Sequence, residues 1–390
     1  MKTFLIRLSF LPFALAIFWG AKTLWQQISQ QSEASVMKAA LAPQNDEIPT
    51  VQLALALDIS GSMDGLIDQA QTRMWQLVNE LATTTVKGLT PRLELGLYIY
   101  GGDHLSAERG YVKQLVPFTT DIDQFSEALF SLSTNGGEEY SGAVIETSLR
   151  ELAWREDQET LKMLFVAGNE SFNQGTVDFK QACSQAKEMG IKVNTVFCGP
   201  FAQGSVLQWQ EGAQIGGGQY LSIDHNLALD DAPTPYDDQF GVLNSSLNET
   251  YIYYGEGGEE KALRNYKIDS WNSSKSISAQ CNRTTTKANA QYQSGLSWDL
   301  VEASSGSTFQ WENIDFGTLP KDCQNLSLKE LQVLTENKRL ERERIQAEIN
   351  ELTQKRSEFL SKLAADSISR LDDALIQCLH KQAAEKGYEF

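Results

Sequence analysis

The sequence predicts an α/β protein with a doubly wound, mostly parallel sheet, followed by a C-terminal helical extension. Strand and helix signals alternate from about Thr50 to Asp224, which is the pattern of a parallel sheet covered by helices. The first strand, Val51–Leu57, is apolar almost without interruption, as expected for a strand buried on both faces. The segment 327–362 is rich in Glu, Lys, Arg, Gln and Leu, a composition typical of a long helix.

The other elements of the sheet region follow from their own patterns. Apolar runs predict five further strands, of which the second is short and lies at the edge of the sheet: Leu93–Tyr100, Tyr111–Pro117, Leu161–Ala167, Ile191–Phe197 and Tyr220–Ile223. Helical periodicity predicts five helices between them: Leu66–Leu81, Ile122–Leu132, Ser141–Trp154, Asp178–Met189 and Ser205–Gln214. In sheets of this kind, ligands bind at the carboxyl ends of the strands.

The remainder of the chain divides by composition into a linker over 225–239, a small mixed or helical region over 240–320 and the helical extension over 321–390. Within the extension, apolar residues keep a heptad spacing from Ile345 to Leu363, but Arg356 interrupts it. The pattern therefore favours an amphipathic helix that lies on its own protein over a long coiled coil.

The charge balance argues against one class of partner. The 390 residues include 33 basic and 51 acidic side chains, which give a net charge of −18. Nucleic-acid binding depends on clustered Lys and Arg that displace phosphate counterions, so a nucleic-acid partner is not expected.

The N-terminus predicts export. Lys2 and Arg7 precede an apolar run, Leu8–Ala21, which fits a secretory signal and falls short of the roughly 20 residues that span a bilayer. A small-residue cleavage site is missing, because Trp19 precedes Gly20 and Ala21. Residues 1–29 are therefore predicted as either a cleaved signal peptide or a membrane-inserted signal anchor, with 30–49 as a tether. Both alternatives place the rest of the chain outside the cytoplasm.

One motif carries chemistry. The first strand runs directly into Asp58, and the following loop, which opens a helix, carries Ser60 and Ser62. A buried carboxylate is costly unless it is paired, and one carboxylate with two hydroxyls suits a hard divalent cation, Mg²⁺ or Mn²⁺. The alternative is structural: a serine caps the helix while Asp58 accepts backbone N–H groups.

This motif resembles the metal-ion-dependent adhesion site (MIDAS) of von Willebrand factor type A domains. Later landmarks over residues 50–224 are similar to the same family: Gly136-Gly137-Glu138 before a helix, Gly168-Asn169-Glu170 after the fourth strand, and the fifth strand itself. The whole chain looks like uncharacterised exported or membrane-anchored bacterial members. The resemblance implies a sheet domain that binds another protein outside the cytoplasm and is not an enzyme.

Two departures from the family pattern affect the site. Glu138 stands where the family has Thr, and Gly168 stands where it has Asp, with Asn169 next to it. Glu138 and Asn169 are therefore predicted to complete the metal ligands, with Thr134 as a substitute hydroxyl. The resemblance implies that the ion captures a carboxylate of a protein partner, with loops 101–103, 135–140 and 169–174 shaping the contact. The alternatives are a scaffolding protein with a degenerate site and an accessory subunit of a larger assembly.

Cysteine positions suggest one bridge. In the predicted fold, the helix that contains Cys183 begins at the end of the sheet where the strand before Cys198 finishes. A disulfide between them is expected in an oxidising compartment, with two buried free thiols as the alternative.

Overall fold

The computed structural model describes residues 48–223, 233–289, 292, 298–365 and 371–390, and Ile48–Phe390 form one compact unit. The predicted signal segment over 1–29, the tether up to residue 47 and residues 225–232 of the predicted linker lie outside the described residues. Among the helices that the structure describes, none combines the length and the apolar character needed to cross a membrane.

A sheet of six strands forms the centre of the molecule. Its strands, together with a separate two-residue pair, are β1 Thr50–Asp58, β2 Thr85–Val86, β3 Arg92–Tyr100, β4 Val112–Thr119, β5 Leu161–Gly168, β6 Lys192–Cys198, β7 Gly217–Ile223 and β8 Tyr388–Glu389. The order in the large sheet is β4-β3-β1-β5-β6-β7, and only β4 runs antiparallel, at the edge. This is the strand order of doubly wound nucleotide-binding sheets, which confirms the predicted fold class.

Twelve α-helices flank and extend this sheet in the described part of the chain. They are α1 Ile67–Thr83, α2 Ile122–Phe130, α3 Ser141–Glu151, α4 Phe179–Glu188, α5 Phe201–Val206, α6 Trp209–Ile215, α7 Asp237–Asn248, α8 Gly258–Lys275, α9 Ile277–Ala288, α10 Leu300–Ala303, α11 Leu328–Ala365 and α12 Leu371–Ala384. The predicted helix near 205–214 is thus two short helices, broken at Gln208, which has a left-handed backbone.

The alternation of side chains along β1 divides the core into two apolar clusters. Leu53, Leu55 and Leu57 pack with α1, α2 and α12 on one face of the sheet. Ala54 and Ala56, on the other face, pack with α3, α4 and α6. Both faces of β1 are therefore covered, which explains why its sequence is apolar at nearly every position.

The C-terminal region packs against the first of these faces. Leu375 and Leu379 of α12 lie in the same apolar cluster as α1. Beyond α12, β8 pairs antiparallel with β2, and the hydroxyl of Tyr388 donates a hydrogen bond of 3.0 Å to the carbonyl of Thr50. The last residues of the chain thus contact the first residue of the central strand, which shows that the helical extension is part of the same compact unit.

A buried ionic network joins the region 240–320 to α2. Arg283 on α9 is 1% exposed, and its guanidinium donates hydrogen bonds of 2.8 Å to Asp123 on α2 and to Asp269 on α8. Tyr292 donates to the second oxygen of Asp123, and Lys287 pairs with Asp269 at 2.7 Å. Because buried charges are costly unless they are paired, these contacts fix the position of α8 and α9 on the sheet domain.

The expected bridge between Cys183 and Cys198 is absent, and both thiols are free and buried. Cys183 of α4 lies in the apolar cluster on one face of the sheet, whereas Cys198 lies in the cluster on the opposite face. Successive side chains of a strand point to opposite faces, and it is the preceding residue, Phe197, that faces α4. The sequence prediction placed the two residues at the same end of the sheet but did not consider which face each occupies. The structure has the alternative arrangement, two buried free thiols.

Candidate metal centre

The predicted motif lies at the carboxyl end of the central strand. Asp58 is the last residue of β1 and pairs in register with Tyr100, the last residue of β3. After β1 the chain continues to β3 on one side, and after β4 it crosses to β5 on the other side. The end of β1 is therefore the point where the winding of the sheet reverses, and a crevice for ligands opens at such points.

Asp58 is fully buried, and only one of its two carboxylate oxygens accepts a hydrogen bond. Its Oδ1 accepts a hydrogen bond of 2.8 Å from the backbone N–H of Ser60, whereas Oδ2 has no hydrogen-bond partner among the described residues. Burial raises the pKa of Asp58 from 3.8 to about 7, and the charges of Glu139 and Glu170 add to this rise. The hydrogen bond from the backbone N–H of Ser60 opposes it. An unpaired carboxylate oxygen in this position would be stabilised by a cation.

The loop after β1 and the loop after β5 hold each other in place. The hydroxyl of Ser62 donates to Oδ1 of Asn169 at 2.9 Å, and Nδ2 of Asn169 donates to the carbonyl of Ser62 at 3.0 Å. Ser60 Oγ lies 2.8 Å from Ser62 Oγ. Since the Ser62 hydroxyl has one proton, the proton between the two serines belongs to Ser60. The structure thus brings together four of the five predicted ligands: Asp58, Ser60, Ser62 and Asn169.

The second predicted carboxylate differs from the one in the structure. Glu138 is exposed, and it is the neighbouring Glu139 that lies half-buried beside Asp58. A Cβ atom placed on Gly101 would approach both Oδ1 of Asp58, at 2.6 Å, and Cγ of Glu139, at 3.2 Å. Burial raises the pKa of Glu139 as well. Glu139 therefore replaces Glu138 as the second-loop carboxylate, and Thr134 instead donates to Asp64 over 3.5 Å.

Two loops make close backbone contact beside these glutamates. A Cβ atom on Gly137 would lie 2.3 Å from the carbonyl oxygen of Gly101, so the two backbones touch at this point. The loop 135–140 has no regular secondary structure, and hence no periodicity from which the direction of each side chain could be predicted. The adjacent pair of carboxylates was the available signal, but it did not distinguish Glu138 from Glu139.

At Gly168, where β5 meets the loop 169–174, there is no space for a carboxylate side chain. A Cβ atom on Gly168 would lie 2.5 Å from the hydroxyl oxygen of Tyr100 and 3.0 Å from Oδ2 of Asp58. Tyr100 is held there by a hydrogen bond of 3.0 Å to the carbonyl of Ala167. Sequence analysis did not identify Tyr100 as part of the site, since a tyrosine inside an apolar strand is typical of a core residue.

The ligand atoms that these residues offer suit a hard divalent cation. They offer carboxylate, hydroxyl and amide oxygens, the ligand types that Mg²⁺ and Mn²⁺ prefer, and one carboxylate oxygen is orphaned. No cluster of three or more His, Cys, Asp or Glu side chains suited to a metal ion occurs within the described ranges. A cation here would depend on the neutral oxygens of Ser60, Ser62 and Asn169.

The order of the strands and the place of the motif agree with the family resemblance seen in the sequence. The part of the chain from β1 to β7 has a fold like that of a von Willebrand factor type A domain. In this domain the MIDAS-like residues lie at the carboxyl end of the first strand, and the loop after β5 meets them through Asn169. The end of β5 departs from the family pattern, because Gly168, which stands where the family has Asp, lies against the hydroxyl of Tyr100.

Several solved structures are similar to the von Willebrand factor type A-like domain. The protein BatB of Bacteroides thetaiotaomicron is 20% identical, with a TM-score of 0.36 over 45% of this chain and 90% of that chain. An aerotolerance-related membrane protein of Bacteroides fragilis is 19% identical, with a TM-score of 0.34 over 45% and 92%. Proximal thread matrix protein 1 of the mussel byssus, which has a zinc-occupied MIDAS motif, is 12% identical, with a TM-score of 0.35 over 46% and 43%.

These similarities concern the fold alone. No protein-family model matches the sequence, and none of the curated proteins is similar to it.

Proposed function

We propose that this protein captures a protein partner outside the cytoplasm through a divalent cation, Mg²⁺ or Mn²⁺, held at the end of β1. The observation that carries the proposal is the buried Asp58, whose Oδ2 has no hydrogen-bond partner among the described residues while Ser60, Ser62 and Asn169 gather beside it. Such a carboxylate is stabilised when a cation neutralises it.

The site contains both charged and neutral oxygen ligands. Asp58, with Glu139 beside it, supplies negative charge, while Ser60, Ser62 and Asn169 supply neutral oxygens. When bound, the cation supplies a positive centre that attracts a carboxylate of the partner. Without it, the carboxylates of Asp58, Glu139 and Glu170 would repel such a group. Capture of an acidic partner is therefore expected to depend on the cation.

Three loops surround this site and would form the contact with the partner. The N–H of Asn135 donates a hydrogen bond of 2.8 Å to the carbonyl of Ile59, which ties the second loop to the motif. The indole N–H of Trp209 donates to the carbonyl of Glu170 at 2.7 Å, which ties the third loop to α6. These bonds fix the backbone around the site, and fixed loops reduce the ordering cost of binding.

Calorimetric titration of Mg²⁺ and Mn²⁺ into the full-length protein tests the proposal. Saturable binding is expected in the wild type and not in Asp58→Ala. Asp64→Ala is the matched control. Asp64 belongs to the same loop, but its carboxylate contacts Thr134 and not the residues of the motif. The same three proteins, immobilised, then test whether capture of carboxylate-bearing proteins requires the cation and is reversed by chelation. Cation binding by a folded Asp58→Ala protein as tight as that of the wild type would refute the proposal.

A second candidate function is a scaffold that works without metal. It is favoured by the mutual hydrogen bonds of Ser62 and Asn169 and by the raised pKa of Asp58, since a protonated Asp58 would be neutral. The titration separates the two functions, because a scaffold would show no saturable cation binding in any of the three proteins.

A further inference from the structure

A lysine is fully buried where helices α7, α8 and α9 meet. Lys287 on α9 is 0% exposed, and its side-chain nitrogen Nζ donates hydrogen bonds to oxygen atoms of the other two helices. The acceptors are Oδ1 of Asn248 at 2.5 Å and Oδ1 of Asn244 at 3.0 Å, both on α7, and Oδ2 of Asp269 at 2.7 Å on α8. A lysine in such a place loses its proton more readily than an exposed one, and the neutral amine is a nucleophile.

One carboxylate oxygen connects this amine to the amide of Asn248. Oδ2 of Asp269 lies 2.7 Å from Nζ of Lys287 and also accepts a hydrogen bond of 2.8 Å from Nδ2 of Asn248. The amine, the amide and the carboxylate therefore contact one another in pairs, and all three side chains are buried. A group that serves both nitrogen atoms at hydrogen-bond distance can carry a proton from one to the other.

Burial makes part of the lysine population neutral. It lowers the pKa of Lys287 to about 8; the charge of Asp269 opposes this decrease, that of Arg283 adds to it, and that of Asp123 opposes it. Burial alone would raise the pKa of Asp269, but the charges of Lys287 and Arg283 hold it well below its usual value. Asp269 is therefore an anionic proton acceptor beside an amine that titrates not far above neutral pH.

We propose that Lys287 and Asn248 form an intramolecular isopeptide bond. Nζ of the neutral amine attacks Cγ of Asn248, and a C–N bond forms. Oδ2 of Asp269 takes one proton from Nζ and delivers it to Nδ2, the Cγ–Nδ2 bond breaks with its electron pair on nitrogen, and ammonia leaves. The product is a secondary amide, and the reaction consumes neither an oxidant nor a cofactor. Because the fold holds the reacting groups together, the step is unimolecular, which greatly increases its rate.

Two asparagines contact Lys287, and the distances favour Asn248 as the acceptor. Asn244, one turn earlier on α7, has the same two partners, but both of its hydrogen bonds measure 3.0 Å. The corresponding bonds of Asn248 measure 2.8 and 2.5 Å. The new bond would join the last residue of α7 to α9 and restrict the unfolded chain as a disulfide does. The free cysteines of this protein do not supply such a cross-link.

Mass spectrometry of the full-length protein tests the proposal. The folded wild type is incubated for several days at about pH 9, above the pKa of Lys287, and is then denatured and digested with trypsin. We expect a branched peptide that joins the segments around Lys287 and Asn248, lighter by one ammonia molecule than the two separate peptides, with no cleavage after Lys287. Unbranched peptides alone, or a branch from Lys287 to another residue, would overturn the proposal.

Paired substitutions on α7 check the assignment of the acceptor. Asn248→Ser is expected to abolish the branched peptide, whereas Asn244→Ser, the matched control, is expected to form it as the wild type does. Each variant removes one amide from the same buried network, so a general effect on folding should be similar in both. A branch at Lys287 in Asn248→Ser, or its absence from a folded Asn244→Ser protein, would contradict the assignment. The wild-type measurement decides the proposal even if neither variant folds.

Discussion

The hydroxyl of Tyr100 occupies the space that a side chain at Gly168 would need. A Cβ atom at position 168 would lie 2.5 Å from that oxygen, and the backbone of Gly168 has no left-handed strain that would add a further cost. Tyr100 is the last residue of β3 and Gly168 is the last residue of β5, the two strands that flank β1 and its last residue, Asp58. The missing third-loop carboxylate and the buried tyrosine are therefore one structural feature.

This relationship predicts a coupled pair of substitutions. Gly168→Ala is expected to lower the free energy of unfolding by about 1–3 kcal/mol, because the new methyl group overlaps the Tyr100 hydroxyl. In a Tyr100→Phe background the same substitution is expected to cost less, since the overlapping atom is gone. Urea unfolding of the two single variants and the double variant measures the coupling. Gly258→Ala serves as control, because its nearest neighbours would lie 3.7 Å away. Additive effects at positions 100 and 168 would contradict the prediction.

The raised pKa of Asp58 predicts the pH dependence of stability in the metal-free protein. A carboxyl group with a pKa of about 7 in the folded state and 3.8 in the unfolded state favours folding when it is protonated. This contribution is complete below the unfolded value and is lost as the pH rises through about 7. Its size is at most roughly 4 kcal/mol, since one pKa unit corresponds to about 1.4 kcal/mol.

Urea unfolding of the wild type and of Asp58→Asn across this pH range isolates the effect from other carboxyl groups, some of which have lowered pKa values and the opposite slope. The wild type is expected to lose stability relative to Asp58→Asn as the pH rises. Addition of Mg²⁺ at the upper end of the range is expected to restore it in the wild type alone. Parallel pH curves for the two proteins would show that Asp58 does not titrate in this range.

The buried network predicts how firmly helices α8 and α9 are joined to the sheet. Arg283→Met removes the buried guanidinium that Asp123 and Asp269 share, which leaves Asp123 with no cationic partner, and is expected to cost about 3–5 kcal/mol. Lys267→Met removes an ion pair to Glu127, which also joins α8 to α2, but Lys267 is 71% exposed. That control is expected to cost less than about 1 kcal/mol. Chemical unfolding measures both, and equal losses would argue against a structural role for the network.

The separation of Cys183 from Cys198 predicts five free thiols per chain. Unfolding the protein in the absence of reductant, with a thiol-reactive dye present, is expected to label all five. In the folded protein, labelling is expected to be slow, because burial raises the pKa of both Cys183 and Cys378 to about 12 and the thiolate is the reactive form. A count of three thiols after unfolding would indicate one disulfide and contradict this arrangement.

The sequence by itself determined the sheet. The nearly continuous apolar run of β1 and the alternation of strands and helices depend on local periodicity, and local periodicity can be read from one chain. The same holds for Asp58, Ser60 and Ser62, which are close in sequence and hence close in space. The long α11 also followed from composition, and its predicted bounds differ from Leu328–Ala365 by only a few residues.

Only the tertiary structure decided which distant groups meet. Glu139 and not Glu138 lies beside Asp58, and both residues belong to a loop without periodicity. The position of Cys198 depends on which face of β6 it occupies, and one residue of register inverts that assignment. The partners of Lys287 and Arg283 belong to segments far apart in sequence. Such contacts arise from the packing of whole elements, and a single sequence contains no local pattern that specifies them.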